Sequence, residues 1–174
     1  MTTLLGIDLG TRACAAVAVP TDWDGGWKRV RSLVVGEPLR RDATDVERAR
    51  RTETIATRIV AFARECGATV AWIESPAYSQ NTAAHVLGAL RGVVSLELLR
   101  AGIDIRTAPM ASARKLLLGK LPRSDVKVAV HSALRAAGAP RDWTLDVSDA
   151  MCAANYGLAE VGGYCFAQGQ DRAA

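Results

Sequence analysis

The sequence predicts an α/β fold in which helices flank a mixed five-stranded sheet, with three antiparallel strands followed by parallel ones. Two observations favour this fold. Three strand-like apolar segments open the chain, and helical and strand-like segments then alternate toward its end. With 174 residues, 49% of them hydrophobic, the chain is long enough to bury one core. We therefore expect a single domain over residues 1–160 and a C-terminal tail over residues 161–174.

The first half of the chain is expected to contain three strands and one long helix. Residues 3–19 are apolar except around residues 10–12, Gly-Thr-Arg, which predicts a hairpin with a tight turn. A third strand is expected at residues 29–36. Apolar residues then recur at helical spacing until Gly67, which predicts a helix over residues 45–66.

The second half alternates between helices and strands. A short apolar strand over residues 69–74 stops at Ser75-Pro76, and helical character resumes over residues 81–101. A further strand is expected at residues 103–107. Three more helices are predicted, at residues 110–118, 124–137 and 146–160. The resulting order, β-β-β-α-β-α-β-α, is typical of the RNase H-like fold.

The composition narrows the classes of partner and compartment. The net charge of +4 and the pI near 9.1 suit a polyanionic partner such as nucleic acid. No apolar run is long enough to span a membrane and no signal peptide is recognisable, so we expect a cytoplasmic protein with no membrane partner. The four cysteines form no CxxC pair, which is typical of thiols in a reducing compartment. His85 and His131 lack zinc-ligand spacing to any cysteine.

Four carboxylates stand at positions that need a chemical explanation. Asp8 lies inside the apolar strand 4–9, where burying a charge is costly unless a cation or hydrogen-bond donors meet it. Glu74 closes the second buried strand, at the edge where α/β sheets carry their sites. Asp146 and Asp149 are three residues apart at the start of the last helix, so they share one of its faces.

Each acid also has an ordinary explanation when taken alone. Asp146 or Asp149 would suit the N-terminal dipole of a helix. Glu74 would face water at a strand end, and Asp8 would accept hydrogen bonds from its own turn. Together, four mutually repelling carboxylates are better explained as ligands of hard cations, and we expect Mg²⁺, with Mn²⁺ able to replace it. Two such ions about 4 Å apart activate water and stabilise a leaving oxygen, which predicts phosphodiester hydrolysis.

Five motifs resemble, in order, those of the RuvC family of Holliday-junction resolvases. Asp8-Leu9-Gly10-Thr11-Arg12 is similar to that family's opening motif, and Glu74 matches its second acidic position. The motifs that follow are Asn81 with Leu87-Gly88 and Arg91-Gly92-Val93, then Arg114 to Gly119 with Arg123 to Lys127, and finally Asp146-Val147-Ser148-Asp149-Ala150. The resemblance covers the chain from residue 4 to about residue 158.

The resemblance implies an Mg²⁺-dependent, homodimeric endodeoxyribonuclease of DNA recombination and repair that nicks two opposed strands of a four-way junction. Its catalytic and metal-binding residues would be Asp8, Glu74, Asp146 and Asp149. Its DNA-binding residues would be Arg12, Tyr78, Asn81, Arg114, Lys115, Lys120, Arg123 and Lys127. The helix over residues 81–101 is apolar on several sides and would form the dimer, with core packing as the alternative. A branch-migration motor is not identified as a partner.

The sequence departs from the family pattern after Glu74. RuvC proteins commonly carry an aromatic residue three positions past this acid, where Ala77 stands here with Tyr78 beside it. The loop is also one residue shorter. Tyr78 would either stack on a base at the junction or pack half-buried against the protein. The base preference at the cut and the range of branched substrates stay open.

Two clusters of basic residues are candidates for phosphate contacts. The first is Arg114, Lys115, Lys120, Arg123 and Lys127, with only Asp125 opposing it, and the resemblance favours a phosphate clamp over a solvated surface. The second is Arg40, Arg41, Arg48, Arg50 and Arg51, interleaved with Asp42, Asp45 and Glu47. We interpret the second cluster as mostly solvated.

Three alternative functions remain open. Residues 6–11 also resemble the first phosphate loop of the actin, sugar-kinase and chaperone ATPases, but the chain offers no second such loop. Another RNase H-like nuclease with broader branched-DNA or RNA specificity, such as a YqgF-type protein or RNase H, is a second alternative, although the Asp-Glu-Arg motif of YqgF-type chains is absent. A non-catalytic junction-binding protein is the third, and four self-repelling acids argue against it.

Overall fold

The computed structural model describes residues 2–40, 42–75, 82–163 and 166, and it confirms the predicted mixed sheet flanked by helices. The strands are β1 (Thr3–Leu9), β2 (Cys14–Pro20), β3 (Arg31–Val35), β4 (Ala68–Glu74) and β5 (Asp104–Ala108). The helices are α1 (Asp45–Glu65), α2 (Thr82–Arg100), α3 (Met110–Leu118), α4 (Val126–Ala136) and α5 (Leu145–Glu160).

Two elements begin two residues later than predicted, for local reasons, while most other bounds differ by at most one residue. The third strand begins at Arg31 because Trp27–Arg29 forms a short 3-10 helix, anchored where Trp27 Nε1 donates to the carbonyl oxygen of Ala137 at 2.7 Å. Helix α4 begins at residue 126 because Asp125 has a left-handed backbone with φ of 52°. A helix cannot propagate through that conformation.

The strand order across the sheet is β3-β2-β1-β4-β5. β1 runs antiparallel to β2 and parallel to β4, and β5 runs parallel to β4. Parallel neighbours end at the same edge of the sheet. The carboxyl ends of β1 and β4 therefore lie side by side, with Ile7 paired to Ile73.

Alternation along β1 sends its side chains into two separate cores. Leu5, Ile7 and Leu9 belong to the core shared with α1 and α2, whereas Leu4 belongs to the core shared with α3, α4 and α5. Because successive side chains point to opposite faces of a strand, Asp8 has the same parity as Leu4 and lies on the α5 face.

Helix α5 rests directly on the backbone of β1. A Cβ atom added at Gly6 would lie 2.1 Å from the carbonyl oxygen of Ala150 and 2.4 Å from the nitrogen of Ala154. Only glycine permits this approach. The contact brings the first turns of α5 against the strand that carries Asp8.

Beyond α5, Phe166 is held against the core. Its backbone nitrogen donates to Asn155 Oδ1 at 2.6 Å, and Asn155 Nδ2 donates to its carbonyl oxygen at 2.9 Å. Asn155 itself is fully buried. Among the helices that the structure describes, none is long and apolar enough to cross a membrane.

Candidate active site

The first pair of acids meets at the carboxyl edge of the sheet. Asp8 follows Ile7 on β1 and Glu74 follows Ile73 on β4, so the parallel register sets the two acids side by side. Asp8 is only 4% exposed, and its pKa is raised first by this burial and then by the carboxyl of Glu74, which lies close to it. Two carboxyl groups side by side each disfavour the charged form of the other.

The pKa of Asp8 is raised to about 8, chiefly because burial disfavours its charged form. The side chain of Glu74 and the negative charge of Asp149 contribute to the rise, while the Lys127 ammonium lowers the pKa. Like charges that cannot both be solvated disfavour ionisation. This edge of the sheet therefore holds more acid than its own cations neutralise.

The second pair of acids comes from the first turns of α5. Thr144 caps this helix, its hydroxyl accepting from the Val147 nitrogen at 3.3 Å. Asp149 is completely buried, whereas the Asp146 side chain is 42% exposed. A fully buried carboxylate requires partners in every direction from which water is excluded.

Lys127 of α4 joins both pairs. Its Nζ atom lies 2.8 Å from Asp149 Oδ2, 3.8 Å from Asp8 Oδ2 and 3.8 Å from Asp146 Oδ1. Burial opposes the charge on Lys127, but the Asp149 hydrogen bond and the three acids together raise its pKa. Acids from two distant parts of the chain thus converge on one ammonium group.

Arg114 of α3 orients Asp149. Its Nε donates to Asp149 Oδ1 at 3.0 Å and its Nη2 to Oδ2 at 2.9 Å, a bidentate pair with 19% of the arginine side chain exposed. Burial works against the guanidinium, yet the hydrogen bonds and charge of Asp149 raise the pKa of Arg114. Both carboxylate oxygens are thereby fixed in direction.

The arrangement is not a ready-made metal site as it stands. Within the described residues, no group of three or more His, Cys, Asp or Glu side chains is arranged to hold a metal ion. Three of the four acids contact the Lys127 ammonium instead. A divalent ion among these acids would require the ammonium to move aside.

Two residues that were not predicted to belong to the site, Arg91 and His131, contact the residues that carry or flank its acids. Arg91 of α2 donates through Nη1 to the carbonyl oxygen of Glu74, and through Nη2 to Thr107 Oγ1 at 3.0 Å. His131 of α4 lies 2.9 Å, through Nδ1, from the hydroxyl of the buried Ser148. His131 follows Lys127 by one helical turn, a spacing that marks both as facing α5.

The predicted DNA-binding residues divide into two groups. Arg114 and Lys127 contact the acids, although 46% of the Lys127 side chain is exposed. The other exposed residues of the set are Arg12, Lys115, Lys120 and Arg123. Tyr78 and Asn81 lie outside the described residues. The sequence contained one sign that Arg114 lies near the packed side of its helix. Its neighbours Ala113 and Leu117 in α3 are both buried.

Comparisons with known proteins locate the fold. No family model and no curated protein sequence matches the chain. Its structure is similar to that of RuvC from Thermus thermophilus in complex with a Holliday junction substrate, with a TM-score of 0.66 at 17% identity over 93% of this chain and 97% of that one. A second structure of Thermus thermophilus RuvC gives a TM-score of 0.62 at 19% identity over 93% and 98% of the two chains. The chain has a RuvC-like fold, which confirms the predicted fold class.

Proposed function

We propose that this RuvC-like chain is a metal-dependent endonuclease that resolves four-way DNA junctions by hydrolysing phosphodiester bonds. The observation that supports it best is the convergence of acids at one edge of the sheet. Asp8 and Glu74 lie side by side there on β1 and β4, and Asp8, Asp146 and Asp149 surround a single cationic nitrogen.

The donor set fits a hard divalent cation. All four side chains offer carboxylate oxygens, which Mg²⁺ and Mn²⁺ prefer, and no sulfur or imidazole ligand lies among them. Burial and the neighbouring acids disfavour the charged form of Asp8, and a bound cation would favour that form. When bound by Asp8, Glu74, Asp146 and Asp149, a pair of these ions would supply an activated water and stabilise the leaving oxygen.

The protein's own side chains would hold these acids and the substrate in position. Arg114 fixes the two oxygens of Asp149, so this acid presents one orientation. Arg91 fixes the backbone of Glu74 where the chain leaves β4. The exposed cations would contact phosphates on either side of the cleaved bond, at Arg12, Lys115, Lys120 and Arg123.

A two-fold dimer would place two such sites on one junction. Helix α2 buries Leu90, Val94 and Leu98 in its own core yet leaves Leu96 and Leu99 exposed by 47% and 57%. Large apolar side chains along one exposed helix face suit a self-complementary contact. We expect a light-scattering mass of two chains, and a mass of one chain would contradict the dimer.

The experiment that tests the function compares two DNA substrates. Purified protein with Mg²⁺ or Mn²⁺ should nick a synthetic four-way junction faster than a linear duplex built from the same arms, and chelation by EDTA should stop both reactions. Equal rates on both substrates would indicate a general nuclease. No cleavage of either DNA would overturn the proposal.

We expect this chemistry in the cytoplasm, which suits the free thiols of Cys14, Cys66 and Cys152.

A further inference from the structure

A second basic surface lies on the opposite side of the sheet from α3 and α4. A groove of about 290 Å³ runs between the β1–β2 turn, the loop after β3 and the N-terminal half of α1. Four arginines line it, Arg12, Arg40, Arg48 and Arg51, beside threonine and apolar side chains. None of the described residues that line this groove is acidic. We call this surface the arginine groove.

Arg51 holds the floor of the arginine groove together through hydrogen bonds to partners that do not neutralise its charge. Its Nε donates to the carbonyl oxygen of Glu37 at 2.8 Å, and its Nη2 to those of Thr11 and Arg12 at 2.9 and 3.1 Å. Carbonyl oxygens carry no net charge, so the guanidinium stays positive toward solvent. The β1–β2 turn and the loop after β3 are held together by one cation.

The arginines of the rim are equally available to an anion. Arg48 donates through Nε to the carbonyl oxygen of Ala43 at 3.1 Å, again a neutral partner. Arg40 is paired with Glu47 at 3.3 Å and Asp42 at 3.9 Å, but 75% of its side chain is exposed. Pairs this exposed are weak, so a phosphate competes for the guanidinium at little cost.

The arginine groove opens beside the four acids. Thr11, which lines it, stands three residues after Asp8. Three residues of extended chain span at most about 11 Å, roughly the axial rise of three base pairs of DNA. A strand whose backbone passes through the groove therefore reaches the carboxylates without leaving the protein surface.

We propose that the arginine groove binds the phosphodiester backbone of a DNA arm on the α1 side of the sheet. Guanidinium groups pair with phosphate through two parallel hydrogen bonds, and four of them around one groove provide several such contacts. This site rests on the proposed function, because it assigns a second arm of the same branched substrate to a surface that the first basic cluster does not reach.

The test removes two rim charges and measures the salt dependence of binding. The variant Arg40→Gln/Arg48→Gln keeps two amide donors in place of the guanidinium groups. Binding to a four-way junction is followed by fluorescence anisotropy in EDTA from low to high salt. The log-log slope should become shallower by about 1.8, since each lost phosphate contact contributes about 0.9.

The matched control removes two arginines near the far end of α1, one on its last turn and one on β3. Arg64 lies exposed on the last turn of α1, and Arg31 pairs with Glu65 at 3.4 Å much as Arg40 pairs with Glu47. The variant Arg31→Gln/Arg64→Gln should keep the wild-type slope. If the control lowers the slope as much as the groove variant, or if neither lowers it, the arginine groove is not a DNA site.

Two further readouts separate the possible failures. If the double variant has a lower melting temperature than the wild type, a single variant takes its place. The variant Arg40→Gln, which loses only the exposed ion pairs of Arg40, should still lower the slope by about 0.9. If wild-type protein cuts no junction but the groove variants still lose slope, the proposed nuclease function fails and the DNA-binding groove stands. If junctions are cut and no groove variant changes the slope, the groove fails alone.

Discussion

The two basic surfaces beside the carboxylate edge differ in what their cations contact. On the α3–α4 side, Arg114 and Lys127 contact carboxylates, and both are partly buried. On the α1 side, Arg51 and Arg48 contact backbone carbonyl oxygens, and Arg40 makes only exposed ion pairs with two acids. A cation whose partners are buried anions is neutralised by the protein's own acids. A cation whose partners are neutral carbonyl oxygens is not neutralised and can still attract an anionic ligand.

This difference separates the cations that hold the acids from those that remain available to a substrate. Losing Arg114 or Lys127 should alter the acids and the fold, whereas losing an exposed cation such as Arg40 or Lys120 should alter the salt dependence of DNA binding. Four variants in three experiments test this contrast, and their expected effects fall from a change of about 100-fold in rate to less than one unit of salt slope.

The largest effect is expected at the acids. Asp8→Asn should lower junction cleavage by about 100-fold or more, because even residues that only orient metal ligands cost 10- to 100-fold when lost. Junction binding in EDTA should be unchanged. Cleavage is measured on labelled junctions. Asp104→Asn, the same substitution on an exposed acid of β5, is the control and should cut normally. Normal cleavage by Asp8→Asn would remove this acid from the site.

An intermediate effect is expected on folding stability, and it separates the two surfaces directly. Arg114→Leu leaves the fully buried Asp149 without its bidentate partner, which should lower the free energy of unfolding by about 3–5 kcal/mol. Arg51→Met leaves carbonyl oxygens that water reaches, and should cost about 1–2 kcal/mol. Urea denaturation measures both. Equal losses would contradict the distinction between anionic and neutral partners.

The smallest effect is expected from a single exposed cation. Lys120→Gln removes one lysine from the loop between α3 and α4, and the salt slope of junction binding should become shallower by about 0.9. The unfolding free energy should stay within about 0.5 kcal/mol of wild type. Lys28→Gln, on the 3-10 helix near the opposite edge of the sheet, should leave the slope unchanged. If the unfolding free energy changes and the salt slope does not, Lys120 stabilises the folded protein and does not contact DNA.

Local patterns in the sequence were sufficient to predict the sheet and the position of the acids. Asp8 is an isolated carboxylate in an apolar segment, and Glu74 closes another apolar strand. If these two strands pair in parallel, both acids lie at the same edge of the sheet. The three-residue spacing of Asp146 and Asp149 placed them in one helical turn. These inferences depend only on periodicity within single elements, which the fold left intact.

The partners of the arginines and lysines were beyond such reasoning. Lys127 and Lys120 lie in one basic run, yet only Lys127 reaches the acids, because α4 presents it to α5. Arg51 lies among acidic neighbours in sequence, but its hydrogen bonds go to Glu37, Thr11 and Arg12, up to 40 positions away. A long cationic side chain takes its partner from whatever the tertiary fold brings within reach, and no local pattern encodes that.

The glycine at position 6 gives the carboxylate cluster a mechanical property. Side chains between a helix and a sheet absorb small displacements by changing rotamer, whereas backbone resting on backbone has no such cushion. We therefore expect a tilt of α5 to change the distance between Asp8 and Asp149 directly. The separation of these two acids follows from the thickness of one main chain, with no side chain between the strand and the helix at this point.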